Sequence, residues 1–503
     1  MTANGLIVSL MAVLFLTFGY LGVPVAFSLI AGVVIGTLFT PVSLPSIVAQ
    51  LFNGIDAEPL MAVPFFLLVG ELMTSANVVV RIANLSQALV GHLRGGLAQV
   101  VTVFSMFFSG MSGSSSADVA VLTRTMARPM AEEGYDAAFV AALIAAAATI
   151  ANLVPPSIMA VVYGAIGNVS IAGLFLGGIA PGLMVGLGLM IYCYFFGPVG
   201  FRRPRSSFWN FAEATKAAAL PLMIPIILLG GIMTGWFAPR EAGVVAIVYI
   251  LAVVIPLLNF GHLRNLPRDF AQAGLIYSLP MITIGAASAF GWMLAYLRGP
   301  IVVSGWIAGI AGDNPYKIMF ALVALFTIVG DFIEPIPCIV IFMPIVASLT
   351  EIGGINPVHM GVVLIVTLAF GLITPPYGLA LLMASKFVGV RFSQAFASVI
   401  IDLCRVLWDD RGLHFSAGCR AVAAETSLPG VGRLLQESER PRLYLSLRAP
   451  PPTVPSAARH SATRDQDPAA GAAGAREPVQ PATKEGDQCV PIGCRHWTGF
   501  PIT

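Results

Sequence analysis

From residue 1 to about 400 the chain alternates long apolar runs with short polar interruptions; beyond that it turns polar. A helix that crosses a bilayer needs roughly 20 mostly apolar residues. Runs of that kind at about 5–22, 24–40, 60–79, 171–197, 217–235, 240–258 and 270–297 predict spanning helices. Two further regions, about 137–168 and 357–388, are long enough to span but contain adjacent prolines, Pro155-Pro156 and Pro375-Pro376. Two others, about 97–130 and 315–350, are apolar at both ends around a Gly- or Pro-rich middle. That is the pattern of a hairpin that enters and leaves by one face. The segment 300–312 is read as not crossing.

The proline pairs stand 220 positions apart, and the same offset aligns what precedes them. Gly110 meets Gly330, Gly134 meets Gly354, Asp136 meets Asn356 and Pro156 meets Pro376. Each unit reads as a hairpin followed by a broken helix. Counting crossings puts the loop at Gly134 on one side and the loop at Gly354 on the other, so the units are expected to be inverted copies. A proline inside a helix removes a backbone donor and crowds the preceding turn. In hydrocarbon such a break survives only where protein or a wet cavity covers it. Inverted repeats with discontinuous helices are the architecture of secondary transporters, whose sites lie where the breaks meet. Freed carbonyls suit a small cation and half-helix N-termini an anionic group.

Composition agrees with a bilayer. The chain is 57% hydrophobic and only 10% charged, against about 25% charged for a soluble domain. The basic residues are scattered, which argues against nucleic acid, and no cleavable signal peptide is read at the N-terminus. The segments 201–216 and 259–269, the loop assigned to Arg81, His92 and Arg94, and Lys386 with Arg391 all fall on one side of the crossing count, and all are basic. By the positive-inside rule that side is the cytoplasm. Cys193 and Cys338 sit in apolar surroundings and read as packing residues; no cysteine spacing resembles a zinc site or a redox pair.

The stretches "PLMAVPFFLLVGELMTSANVVVRIANLSQALVGHLRGGLAQV", "SGSSSADVA", "EEGYDAAFVAALIAAAATIANLVPPSIMAVVYG" and "GINPVHMGVVLIVTLAFGLITPPYGLALLMAS" together resemble the large membrane subunit (DctM-like) of tripartite ATP-independent periplasmic (TRAP) transporters, over residues 1 to about 400. The resemblance implies an all-α, multi-pass permease of the bacterial inner membrane with elevator-type architecture. It implies Na⁺ as coupling ion and no other cofactor. The implied partners are a smaller membrane subunit and a periplasmic binding protein, and the cargo a small organic anion such as a C4-dicarboxylate, keto acid or acidic sugar. The implied division is scaffold helices at 1–96, a first transport repeat at 97–168, connecting helices at 169–299, a second repeat at 300–391 and an aberrant tail at 392–503.

Carried onto matching positions, a first cation site lies between Ser114, Ser115 and Ser116 at the hairpin tip and Asn152, Pro155, Pro156 and Ser157 at the break, with Thr149 nearby. A second lies between Gly330, Glu334 and Pro335 and the stretch Thr374, Pro375, Pro376 and Gly378. Hydroxyl and carbonyl oxygens are hard donors that suit an alkali cation. The family more often has Ser or Thr where Ala148 stands and Asn where Ala380 stands.

Acids at membrane depth are functional by default, so Glu334 and Asp118 are candidates; capping of the returning hairpin helix is the alternative for Asp118. Arg124 and Arg128 could meet a substrate carboxylate or snorkel to the cytoplasmic surface. Gly178, Gly182 and Gly186 form a small-residue stripe for close helix packing. A stand-alone Na⁺- or H⁺-coupled carboxylate transporter is the second reading. A membrane enzyme finds no support, since HExxH and Gly-x-Ser-x-Gly are absent. After Arg391 a last apolar helix begins but stops at Asp402. The Arg-, Pro- and Ala-rich remainder has the composition of disorder, and a shifted reading frame near codon 400 or a cytoplasmic extension would account for it.

Overall fold

The structure, a computed structural model, describes residues 3–198, 204–375 and 378–407, with side chains from 4 to 399. All belong to the first of the chain's two units, which divide after Leu435. Pro376, part of the basic segment after Gly197, Cys404, and the tail from position 408 with its remaining cysteines lie outside the described residues or their side chains. The described residues contain helices and no strand.

The first helices are α1 (Ala3–Tyr20), α2 (Val25–Thr37), α3 (Leu44–Asn53), α4 (Ala62–Ser75) and α5 (Val79–Val90). Neither α3 nor α5 was expected, because each apolar run is too short to span. Arg81 therefore lies within a helix and not in a loop. In α5 the buried residues Val79, Ile82, Ser86 and Val90 recur at helical spacing, with Arg81, Asn84 and Gln87 between them.

The first repeat consists of α6 (Leu97–Ser112), α7 (Ser115–Leu122), a π-helical turn at Thr123–Ala127, α8 (Arg128–Glu132), α9 (Ala137–Ala148) with a 3₁₀ turn at Thr149–Asn152, and α10 (Ile158–Gly167). Connecting helices follow: α11 (Ile171–Phe195), α12 (Phe208–Met233), α13 (Pro239–Tyr249), α14 (Ile255–Leu258), α15 (Leu266–Tyr296) and α16 (Gly299–Ala311). The second repeat is α17 (Pro315–Gly330), α18 (Pro335–Ile352), α19 (Pro357–Gly371) and α20 (Leu379–Val388). α21 (Phe392–Leu407) passes the expected stop at Asp402 and, over Phe392–Val399, turns 119° away from α20.

The 220-residue offset holds at the level of single hydrogen bonds. Asp136 caps α9 by accepting from the amides of Ala138 and Phe139; Asn356 caps α19 by accepting from Val358 and His359. Before these caps, the amides of Glu133, Gly134 and Tyr135 donate to Pro129, Ala131 and Met130. Those of Gly353, Gly354 and Ile355 donate to Leu349, Glu351 and Thr350, the equivalent carbonyls. Gly134 and Gly354 both take positive φ, +80° and +58°, which a residue without Cβ adopts freely.

The two loops lie on opposite faces. On one face the Tyr135 hydroxyl donates to Gly95 O at 2.6 Å, and a Cβ on Gly95 would sit 2.9 Å from Cys193 O at the end of α11. The Asn259 amide donates to Ala76 O at 3.0 Å, tying the segment after α14 to the turn between α4 and α5. The Gly354 loop instead sits beside the start of α11, where a Cβ on Gly173 would be 3.2 Å from Val358. Arg240 pairs with Glu58 at 2.8 Å at the starts of α13 and the turn leading into α4. The repeats are therefore inverted. α16, thirteen residues long, measures about 20 Å at 1.5 Å per residue, short of the ~30 Å hydrocarbon core.

Close packing holds the first break in place. Gly178, Gly182 and Gly186 are buried on α11; a Cβ there would meet Leu153 O at 2.4 Å, Val154 at 2.7 Å and the Met106 sulfur at 2.6 Å. Leu176, Leu183 and Leu187 on the same helix are exposed, as a lipid-facing surface would be. Among the described residues six helical segments are long and apolar enough to cross a membrane, or seven if the bent pair counts as one.

Candidate functional site: a cavity between two hairpin tips and two broken helices

The Pro-rich segments interrupt α9–α10 and α19–α20, and each hairpin tip packs against its own break. In the first repeat the Ile158 amide donates to Gly113 O at 3.2 Å. Gly113 has φ +61°, and a Cβ there would lie 2.3 Å from Pro156 O, so only glycine lets the tip approach this closely. Asn152 donates its side-chain amide to the Ser115 hydroxyl, and its own carbonyl accepts from the Ser157 hydroxyl at 2.6 Å. Ser157 Oγ in turn accepts from the Ala160 amide and caps α10. Ser115, Asn152 and Ser157 are all buried. In the second repeat the contact is glycine on glycine, with a Cβ on Gly371 placed 3.0 Å from Gly330 O.

Both tips and both breaks open onto one cavity of about 380 Å³. Hairpin 1 contributes Gly113, Ser114, Ser115 and Ser116, and the first break Asn152 and Ile158. Hairpin 2 contributes Glu334, Pro335 and Ile336, and the second break Leu372, Leu379 and Ala380. The facing wall is Val63 and Leu67 of α4 with Ile276, Leu279, Pro280 and Thr283 of α15. Ser115, Ile158, Pro335 and Leu379 are the first residues of α7, α10, α18 and α20. Four helix N-termini thus converge on the cavity, each carrying a partial positive charge of roughly half a unit.

The remaining site candidates divide. Thr149 and Thr374 each donate to a carbonyl of the helix that precedes them, Ala146 O at 2.7 Å and Phe370 O at 2.9 Å. Gly330, Thr374, Pro375, Gly378, Pro155, Pro156 and Ser157 lie at the tips and breaks but not on the cavity wall. Asp118 is fully buried and faces away from it. It accepts from Ser112, and Ser105 Oγ is 3.5 Å away, so it clasps the two limbs of hairpin 1 and does not cap α7. Arg124 sits on the π-helical turn and lines a separate polar cavity with Thr74, Asn77, Asn84 and Gln87. Arg128 is exposed and pairs with Glu132 at 2.9 Å.

Sequence reasoning missed the scaffold wall and one buried cluster at the ends of the same helices. His262 Nε2 lies 2.6 Å from Asp269 Oδ2 and 3.3 Å from Ser75 Oγ, and both His262 and Asp269 are buried. These bonds join the end of α4 to the start of α15, the two helices that wall the cavity. An acid seven residues after a histidine carried no recognisable signal, because Ser75 is far away in the chain.

Comparison with known proteins fits this geometry. Residues 11–403 match the family described as tripartite ATP-independent periplasmic transporter, DctM component. The chain is 35% identical to the C4-dicarboxylate TRAP transporter large permease protein DctM of Pseudomonas aeruginosa, over 70% of this chain and 83% of the relative. It is 35% identical to the sialic acid TRAP transporter large permease protein SiaM of Vibrio cholerae, over 76% and 90%. With the ectoine/5-hydroxyectoine large permease protein UehC of Ruegeria pomeroyi the identity is 33%, over 76% and 89%. The fold is similar to the crystal structure of the Alcanivorax borkumensis YdaH transporter, with a TM-score of 0.51 at 15% identity over 74% of this chain and 86% of that one. The chain is a multi-pass membrane protein and belongs to the DctM family, the large permease component of TRAP transporters.

Proposed function

We propose that this permease imports a small organic anion across the bacterial inner membrane, driven by Na⁺. The observation that carries this is the convergence of four helix N-termini on a single cavity at the two breaks. Helix N-termini favour anions, and unwound carbonyls with hydroxyls favour an alkali cation. The relatives transport C4-dicarboxylates, sialic acid and ectoines by name.

In this reading one Na⁺ sits at Ser115, Asn152 and the carbonyls of the first break, and a second near Glu334 and the Thr374 to Gly378 segment. A periplasmic binding protein delivers the anion, a smaller membrane subunit completes the transporter, and the two repeats move as a block against α4 and α15. The test is the melting temperature of the purified protein in NaCl against KCl at equal ionic strength. A ligand at ~100 times its dissociation constant stabilises by about 2.7 kcal/mol. A sodium-specific rise, weakened by Ser115→Ala and by Thr374→Ala, is expected; equal melting in the two salts overturns the coupling ion.

A further inference from the structure

The cavity has one polar side and one apolar side, and that division narrows the cargo. No Lys, Arg or His is among its described lining residues, and the segment 372–380 contains none in sequence. Val63 and Leu67 of α4 with Ile276 and Leu279 of α15 form an apolar wall, and Ala380 and Met383 of α20 add apolar surface beside the second break. The polar groups that do line the cavity are mostly engaged. Ser114 and Ser116 pair at 3.0 Å, Ser115 accepts from Asn152, and Thr283 donates to Leu279 O at 2.8 Å. Among the described lining residues Glu334 is the one ionisable side chain.

We infer that the cavity takes a small monocarboxylate with an apolar body, its carboxylate at the helix N-termini and its hydrocarbon part against α4, α15 and Met383. This rests on the reading of the protein as an anion permease. At about 380 Å³ the cavity is near the lower end of small-molecule sites, which run from ~300 to ~1,000 Å³. A second carboxylate would face either the apolar wall or the like charge of Glu334. A cation bound at Glu334 neutralises that charge and leaves none over for another anion. A polyhydroxylated acid would press hydroxyls against side chains that cannot accept or donate, a cost that grows with each hydroxyl buried without a partner.

The experiment is isothermal titration calorimetry of the detergent-purified chain in NaCl with three acids: 3-methyl-2-oxobutanoate, succinate and gluconate. The branched monocarboxylate is expected to bind at least tenfold more tightly than either of the others. Succinate or gluconate binding as tightly overturns the inference. So does a failure of all three to bind while sodium still raises the melting temperature, an outcome that leaves the sodium-driven permease standing. Loss of the sodium effect itself would instead overturn the parent reading. Ala380→Asn and Leu67→Asn, which place an amide on the apolar side, are expected to narrow the monocarboxylate-to-gluconate ratio by about tenfold. An unchanged ratio in folded variants also overturns the assignment.

Discussion

Asn152 holds the first hairpin tip and the first break together: its amide donates to the Ser115 hydroxyl and its carbonyl accepts from Ser157 at 2.6 Å. Asn152→Ala leaves a buried hydroxyl short of a partner, at a cost of about 1–3 kcal/mol. The variant is expected to melt lower than the parent and to lose most of the sodium-dependent increment. Melting at the parental temperature with the increment intact would show that this bond fixes neither fold nor ion site.

Gly113 and Gly134 separate backbone strain from close approach. Both have positive φ, where a Cβ costs roughly 1–2 kcal/mol, but only Gly113 has a carbonyl oxygen, that of Pro156, at 2.3 Å from the added atom. Gly134 faces open space. Gly113→Ala should therefore lower the melting temperature well beyond Gly134→Ala, and it should also reduce transport in proteoliposomes. Equal losses would mean that the tip yields easily.

The equivalent caps Asp136 and Asn356 give a measure of the repeat. Each →Ala change removes a side-chain acceptor from two helix amides and is expected to cost about 1 kcal/mol. The two sites lie at opposite faces, so the double variant should equal the sum of the singles within roughly 0.5 kcal/mol. Chemical denaturation checks this, and a marked departure from additivity would indicate coupling between the repeats.

His262 and Asp269 are expected to behave as one unit. Removing either partner from a buried pair costs about 3–5 kcal/mol, because the other is left uncompensated. His262→Ala and Asp269→Ala should each destabilise strongly, and the double variant little more than either. If the losses simply add, the 2.6 Å contact contributes no coupling.

Much of this protein could be read from its sequence, because the relevant signals are local. Run length and apolarity fix which segments can cross, since every backbone polar group in hydrocarbon must be satisfied within its own helix. The offset between Pro155 and Pro375, and the caps Asp136 and Asn356, marked the two repeats because a cap or break needs its residue type at its own position. The amphipathic helix α5 was also present as a period, but its apolar run was too short to register beside the spans.

What the tertiary structure alone decided is which side chains meet. Asp118 and Glu334 are both acids just beyond a hairpin tip; packing turns the first onto Ser112 and the second onto the cavity. The wall from Val63 to Thr283 and the Ser75–His262–Asp269 cluster join residues about 200 positions apart in the chain. No periodicity encodes such pairings. They follow from how whole helices pack, and the convergence of four helix N-termini on one cavity is a property of that packing.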